Sequence, residues 1–386
     1  MGIGGEEFRA RVTAVRDRLD AAGLRVGLAY ATQHVPGDVQ YLTGYDPHIE
    51  DAVALVMPDE VVVLGGPEGA EVFADSASLG EWLNLKAFEI PFQDYGDTRF
   101  YSLDEVLREQ LGALPEEVGL ISASSLVPLE LASSLRGAGV RLRDVSGILA
   151  QARYRKSPTE LELFRIASSI ATAAMGAMVD AVKPGVTELE VAAEGDLVAK
   201  RLGAYAFGFD TIVCSGPRID TVIGRAMPRR IASGDLVMLG VSPRYHGYTS
   251  ALGRTVAAGG CSPEQRAFLE HGAHALELSA AQLVPGGPAC EIDLAARRYL
   301  GSVGLGDYHA YGVGHGIGLS ECMELQTATA VSDYDVPTGI TMMLDIGLFG
   351  HPELHGLRHE DPFVVGHDRQ VERVTDLPVA LYETAG

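Results

Sequence analysis

The sequence predicts a two-domain chain of mixed α/β class, with a smaller α/β domain followed by a larger α+β domain. At 386 residues the chain exceeds the size at which one hydrophobic core usually stops growing. In residues 1–150 short aliphatic runs alternate with helical patterns, which is typical of an α/β layer with a partly parallel sheet. Residues 151–386 instead combine long, well-capped helices with β-rich stretches.

The first domain begins with a helical pattern in which Phe8, Val12, Val15 and Leu19 recur on one face. Turn residues then separate β-branched or aliphatic runs that are typical of strands. The predicted helices are 6–22, 104–111 and 126–138, and the predicted strands are 26–30, 52–57, 61–64 and 118–121.

The second domain is predicted to open at Ser157, a good N-cap that is followed by Pro158 and by Glu160, which completes a capping box. The pattern predicts a long core-facing helix after this cap. Thr187 with Glu190 repeats the capping signal, and a third long helix follows Ser262.

Two β-rich segments of this domain look like copies of one another. Residues 234–240 and 339–345 share a turn glycine, an apolar strand and a distinctive position six residues further on. We therefore expect two related halves whose strands meet in the middle, with His315 near that meeting point.

Composition excludes several classes of partner. The net charge of −22 argues against nucleic acid, because phosphate binding needs clustered Lys and Arg. No apolar run reaches the length needed to span a bilayer, and the N-terminus lacks the pattern of a signal peptide. The 4 cysteines form no CxxC pair, which fits a reducing compartment. These features predict a cytoplasmic protein with no membrane partner.

The candidate functional centre is the run Tyr311-Gly-Val-Gly-His315-Gly-Ile-Gly318. Glycine in a strand-like segment marks a place where another group approaches the backbone closely. We therefore expect His315 to face a ligand, a metal ion or a partner residue.

Seven motifs occur in order along residues 153–378. They are Arg155-Lys-Ser-Pro158 with Glu160, Lys183-Pro-Gly-Val-Thr-Glu188, Ser233-Gly-Asp-Leu-Val237, Gly247-Tyr-x-Ser250, Arg254-Thr255, Gly314-His-Gly-Ile-Gly318 and Gly356-x-Arg358-x-Glu360-Asp361. Together they resemble the catalytic domain of the pita-bread-fold hydrolases, which include methionine aminopeptidases, Xaa-Pro aminopeptidases, prolidases and creatinases. Tyr41-Leu-Thr-Gly-Tyr45 also looks like the smaller domain that precedes it in prolidases and creatinases. The resemblance implies a pseudo-two-fold catalytic domain and a homodimer.

The metal site implied by this resemblance is incomplete. In the peptidases two divalent ions are held by two aspartates, one histidine and two glutamates. Here Gly240 and Ala251 stand at the two aspartate positions, and Asp345 replaces the first glutamate. Only His315 and Glu360 match the pattern, so we expect no two-metal centre and, in the main reading, no cofactor.

Creatinases, which hydrolyse a C–N bond without a metal, have a similar strand to Ser250-Ala-Leu-Gly-Arg-Thr255. The main hypothesis is therefore a metal-independent, creatinase-like hydrolase that acts on a small polar nitrogen-containing metabolite. His315, Asp345 and Glu360 would handle the protons, because paired carboxylates shift each other's pKa. Creatine itself is not the expected substrate, since other catalytic residues of creatinases are replaced.

Two alternatives remain open. One is a metal-dependent Xaa-Pro aminopeptidase or dipeptidase with a single Fe or Mn at His315, Asp345 and Glu360, a donor set that suits such ions. The other is a non-catalytic binding module on the same scaffold. Around the centre, the predicted substrate-binding residues are Arg225, His246, Arg358, His359, Cys322 and Tyr311.

Overall fold

The computed structural model describes residues 2–322 and 324–384. Within them the chain divides into two compact units, Met1–Tyr154 and Arg155–Gly386. The domain boundary expected at 150/151 falls inside the helix Gly147–Tyr154.

The first unit is an α/β layer around a mixed sheet of order β4-β3-β2-β1-β5-β6. Strand β1 pairs antiparallel with β2 and parallel with β5, which makes the sheet partly parallel as the sequence predicts. The helices are α1 (Gly5–Ala21), α2 (Gly37–Thr43), α3 (Gly69–Ser76), α4 (Leu103–Leu111), α5 (Leu129–Gly137) and α6 (Gly147–Tyr154); the strands are β1 (Gly27–Ala31), β2 (Ala52–Val56), β3 (Val61–Gly65), β4 (Glu81–Asn84), β5 (Glu117–Leu120) and β6 (Arg141–Asp144).

The local sequence explains these elements. The apolar face of α1 is buried at the helical spacing read from the sequence. Strands β1, β2 and β3 are buried at every position, which is why they read as continuous apolar runs without alternation. Helix α4 begins at a capping box formed by Ser102 and Glu105.

The second unit carries the glycine-rich motif. Its helices are α7 (Pro158–Ala181), α8 (Glu188–Arg201), α9 (Pro263–Ala280) and α10 (Ala289–Ser302); its strands are β7 (Ala206–Phe207), β8 (Ile212–Ser215), β9 (Leu236–Val241), β10 (Pro243–Tyr245), β11 (Tyr248–Thr249), β12 (Leu252–Ala257), β13 (Gly314–Gly316), β14 (Thr327–Ala328), β15 (Ile340–His351), β16 (His355–Val365), β17 (Val371–Arg373) and β18 (Tyr382–Glu383).

The large sheet of this unit has the order β14-β13-β15-β16-β12-β9-β8. Two antiparallel groups, β13-β15-β16 and β12-β9-β8, meet where Gly253 of β12 pairs with Glu360 of β16. The two segments that look like copies in the sequence contribute β9 and β15, one to each group. His315 lies on β13, next to β15 and not at the junction itself.

Helix α7 begins at the predicted capping box of Ser157 and Glu160, with Pro158 in its first turn. By length and mean hydropathy it could cross a membrane, even though polar residues interrupt its apolar sequence. However, 56% of its most apolar 18-residue window is buried inside the protein. Its apolar face therefore serves the core of this unit.

A smaller three-stranded sheet, of order β11-β10-β7, lies in the same unit. Strand β10 pairs with β11 through Arg244 and Thr249, and with β7 through Arg244 and Ala206. This sheet places Arg244 on its central strand, between Thr249 and Ala206.

Candidate active site

The long hairpin of β15 and β16 supplies the carboxylates of the site. Asp345 and Glu360 are direct cross-strand partners, and Gly347 pairs with Arg358. Because side chains alternate along a strand, Arg358 and Glu360 share one face of β16, the face on which Asp345 also lies. The predicted convergence of Asp345 with Glu360 is thus a consequence of strand register.

His315 reaches the same place from β13. Its Nδ1 lies 3.2 Å from the carbonyl oxygen of Gly316, and its Nε2 lies 3.7 Å from Glu360 Oε1. Burial lowers the pKa of His315, but the hydrogen bond to Glu360 and the charge of Glu321 outweigh it and raise the pKa to about 9. The carboxylates around Nε2 therefore favour a positive charge at this point.

Close packing explains the glycines on either side of His315. A Cβ on Gly314 would lie 2.6 Å from Ala328 Cβ, and one on Gly316 would lie 2.7 Å from the carbonyl oxygen of Leu325. Neighbouring chain therefore packs directly against this strand, as the glycine pattern predicts.

Glu321 is the functional residue that the sequence reasoning missed. One of its carboxylate oxygens lies 4.0 Å from His315 Nε2. His315, Glu321 and Glu360 each offer a donor atom, and all three atoms lie within 4.8 Å of one another. The sequence signal for Glu321 is its position next to Cys322, one of the predicted substrate-binding residues.

Asp345 interacts with Tyr311 and Arg358, two partners that the sequence did not indicate for it. Its Oδ2 accepts a hydrogen bond of 2.8 Å from the Tyr311 hydroxyl and lies 3.2 Å from Arg358 Nη2. Arg358 also donates to the Tyr311 oxygen, from Nη2 at 2.9 Å. Burial raises the pKa of Asp345 to about 6, with Arg358 opposing the shift and Glu360 adding to it.

Two glycines make room for this arrangement. A Cβ on Gly347 would lie 2.1 Å from the Tyr311 hydroxyl oxygen. A Cβ on Gly253 would lie 2.9 Å from both Arg358 Cγ and Glu360 Cβ. The Tyr311–Asp345–Arg358 triad is therefore built into the packing of the sheet.

These residues do not fit a two-metal centre. Gly240 and Ala251 offer no ligand, and a Cβ on Gly240 would already lie 3.3 Å from two Ile212 carbons. Ala251 is fully buried in an apolar cluster with Leu161, Phe164, Ile317, Met343 and Val364. Asp345 Oδ2 is paired with Tyr311 and Arg358, and among residues 2–322 and 324–384 the only group of three such donors is that of His315, Glu321 and Glu360.

A single cation fits better, but on a different donor set from the predicted one. Glu321 joins His315 and Glu360, while Asp345, although opposite Glu360, is outside this group of donors and has its Oδ2 paired with Arg358. One imidazole nitrogen and two carboxylate oxygens suit a divalent transition ion.

The other predicted site residues fall into two groups. Tyr311 and Arg358 belong to the triad beside the cluster. Cys322 follows Glu321, and partial burial of its thiol raises its pKa to about 11, with Glu321 adding to the shift. A thiol with a raised pKa is a poor nucleophile near neutral pH.

The structure does not bring Arg225, His246 or His359 into the cluster. The Arg225 side chain is 81% exposed and pairs with Asp210. His246 occupies a turn with φ of 46° and stacks edge-on against Tyr245. His359 lies on the opposite face of β16, within 3.3 Å of the Leu269 carbonyl oxygen, where burial lowers its pKa to about 3.

The fold, with two antiparallel strand groups that meet beside the donor cluster, is of the pita-bread type. The model of metallopeptidase family M24 matches residues 162–367, and the chain belongs to that family. The cluster of His315, Glu321 and Glu360 lies within the matched region.

Two relatives show how much of the chain the sequence similarity covers. The Xaa-Pro dipeptidase of Pyrococcus furiosus is 31% identical over 226 residues, which are 58% of this chain and 64% of that protein. An uncharacterized peptidase of Staphylococcus aureus (strain MW2) is 29% identical over 86% of this chain and 91% of its own length. The chain therefore matches less than two thirds of the length of the Pyrococcus protein.

Solved structures support the fold. The prolidase from Pyrococcus horikoshii OT3 superposes with a TM-score of 0.81 at 24% identity, covering 95% of this chain and 98% of that one. At this identity the likeness concerns the fold alone.

These comparisons correct the main functional hypothesis. A metal-independent, creatinase-like enzyme without cofactor was expected, and this expectation is wrong, because the matching family is a metallopeptidase family and its relatives include Xaa-Pro dipeptidases. Gly240 and Ala251 supply no ligand side chain, but that absence does not imply metal independence. The cluster of His315, Glu321 and Glu360 shows how a cation site can persist without them.

Proposed function

We propose that this protein is a metal-dependent peptidase that holds one divalent ion per chain at His315, Glu321 and Glu360. The observation that carries the proposal is the convergence of these three donor atoms within 4.8 Å. By likeness to the Xaa-Pro dipeptidases, the proposed substrate is a short peptide with proline in its second position.

The three ligands come from different parts of the unit: β13, the segment after it and β16. Their side chains are 20%, 15% and 3% exposed respectively, so the cluster is sheltered but reachable. Carboxylate oxygens and an imidazole suit Mn, Fe or Co, and such an ion, when bound, polarises a carbonyl and lowers the pKa of water.

The neighbouring triad has a supporting role. Arg358 and Tyr311 hold Asp345 in one orientation beside Glu360, on the same face of the hairpin. Since Arg358 is buried and permanently charged, it offsets part of the negative charge of the two carboxylates. This leaves Glu360 free to face His315.

The decisive experiment measures metal binding and hydrolysis together. After treatment with a chelator, the protein is titrated with Mn²⁺ by calorimetry, and cleavage of Xaa-Pro dipeptides is followed with and without the ion. We expect one ion per chain and hydrolysis only in its presence. Replacing Glu321→Gln should weaken Mn²⁺ binding by about 10-fold or more, because charged oxygen ligands set the affinity for hard cations.

Glu353→Gln is the matched control, because Glu353 is an exposed glutamate of the same unit outside the cluster. It should leave both affinity and turnover unchanged. Absence of Mn²⁺ binding, or equal rates with and without the ion, would refute the proposal.

We also propose a cytoplasmic location, from the composition of the chain, and a homodimer, from its resemblance to the family. Sedimentation of the purified chain tests the dimer.

A further inference from the structure

Arg244 is an exception among the buried arginines of the described residues. Each of the others has a carboxylate partner: Arg11 with Glu7, Arg153 with Asp38, Arg254 with Asp361 and Arg358 with Asp345. Arg244 is only 3% exposed, and its Nε is buried without a hydrogen-bond partner. Within residues 2–322 and 324–384, no carboxylate oxygen lies within 4.0 Å of its guanidinium.

A buried guanidinium without an anion is physically unfavourable. Arginine stays protonated in proteins, so burial cannot be relieved by loss of the proton. A buried charge is normally paired, because its lost hydration must be replaced by an opposite charge or by hydrogen bonds. The burial of Arg244 without an anionic partner therefore indicates a binding position for an anionic ligand.

The position of Arg244 relates it to the candidate metal cluster. The cross-strand partner of Arg244 is Thr249. Thr249 donates to the carbonyl oxygen of Gly318 twice, through Oγ1 at 2.8 Å and through its backbone N–H. Cross-strand partners point to the same side of a sheet. Arg244 thus faces the segment that continues from Gly318 to Glu321.

Ser242 also links Arg244 to the candidate metal cluster. It stands two residues before Arg244, which places both side chains on one side of an extended segment, and its Oγ is also buried without a partner. A Cβ on Gly208 would lie 2.6 Å from Ser242 Oγ and 2.9 Å from Glu321 Cβ. The unpartnered hydroxyl is thereby close to a proposed metal ligand, with only a glycine between them.

We propose that Arg244 and Ser242 form a subsite for the free carboxylate of the substrate. The proposal rests on the proposed function in that a dipeptide supplies such a carboxylate next to the bond to be cleaved. The planar fork of arginine matches a carboxylate with two parallel hydrogen bonds, and a serine hydroxyl can donate a third. Arg225 and Arg358, which the sequence suggested for this role, are already paired with Asp210 and Asp345.

The test compares two small probes that differ in one group, L-proline and L-prolinamide, by calorimetry in Tris buffer free of carboxylates. Wild-type protein should bind proline more tightly by about 10-fold or more, because hydrogen bonds between charged groups contribute at least that factor. Arg244→Met should abolish the preference, Arg244→Lys should retain part of it, and Ser242→Ala should reduce it.

Two further measurements separate this subsite from a structural role and from the metal site. Without carboxylate, Arg244→Met should melt no lower than wild type, because it removes an unpaired charge; a lower melting temperature would assign Arg244 a structural role and overturn the subsite. Its Mn²⁺ affinity should equal that of wild type.

The outcomes also distinguish this subsite from the proposed function. Proline preference in a protein that binds no Mn²⁺ would support the subsite and refute the peptidase. Metal-dependent hydrolysis with equal binding of proline and prolinamide would refute the subsite alone.

Discussion

Replacing Arg358→Met tests whether the triad beside the metal cluster holds a buried charge in place. The change removes the cation but keeps an unbranched, apolar side chain of similar length. Asp345, which is 5% exposed, then loses its ion pair, and the Tyr311 hydroxyl loses its donors from Arg358. Glu360 remains directly opposite Asp345 in the strand register.

The expected loss is about 3–5 kcal/mol of unfolding free energy at pH 8, the usual cost of removing one partner of a buried ion pair. The loss should shrink as the pH falls. Without Arg358, burial and Glu360 raise the pKa of Asp345 further above its value in the unfolded chain, and it is already about 6 in the folded wild type. A group with a raised pKa contributes stability that is complete at low pH and is lost as the pH rises through the folded pKa.

Urea unfolding followed by far-ultraviolet circular dichroism at pH 5 and pH 8 measures this effect. Circular dichroism is preferred because the single tryptophan, Trp82, lies in the first unit and does not report on the site. The double variant Arg358→Met with Asp345→Asn should recover most of the stability at pH 8. A loss below about 1 kcal/mol, or a double variant as unstable as the single one, would refute the argument.

Two further predictions concern single residues elsewhere. Burial, followed by the Glu68 carboxylate, raises the pKa of Glu50 to about 7, so its contribution to stability is lost as the pH rises towards and through 7. Glu50→Gln should therefore raise the melting temperature relative to wild type at pH 8 but not at pH 4; an equal shift at both values would contradict this reasoning. Gly253→Ala should cost about 1–3 kcal/mol by overpacking against Arg358 and Glu360, measured by urea unfolding. Gly301→Ala, an exposed helical glycine with nothing within 4 Å, is the control and should be neutral or stabilising by up to about 1 kcal/mol; equal effects of the two would contradict it.

Much of the local structure could be read from the sequence. The capping box of Ser157 and Glu160 marked the start of α7, and the spacing of apolar residues marked α1. These signals are local, because a cap or an amphipathic stripe involves residues within one or two helical turns. Helices without strong caps, such as α2 and α3, were not predicted.

The site could be predicted only in part. The glycine-rich motif pointed to His315, and the pairing of β15 with β16 brings Asp345 and Glu360 together as expected. The sequence could not show that Asp345 is held by Arg358 and Tyr311, since that choice depends on space left by Gly253 of β12 and by Gly347 of β15, which only the packing of the sheet reveals.

The sequence by itself determined the fold class, the family, the starts of the helices capped by Ser157, Thr187 and Ser262, and the absence of ligands at Gly240 and Ala251. Tertiary structure alone decided which charges are paired. It turned His359 away from the site by strand alternation, brought Glu321 to His315 through the segment after β13, and left Arg244 buried with no carboxylate partner among the described residues. The physical reason is that a residue's type fixes what it can bind, whereas register and packing between distant segments decide what it meets.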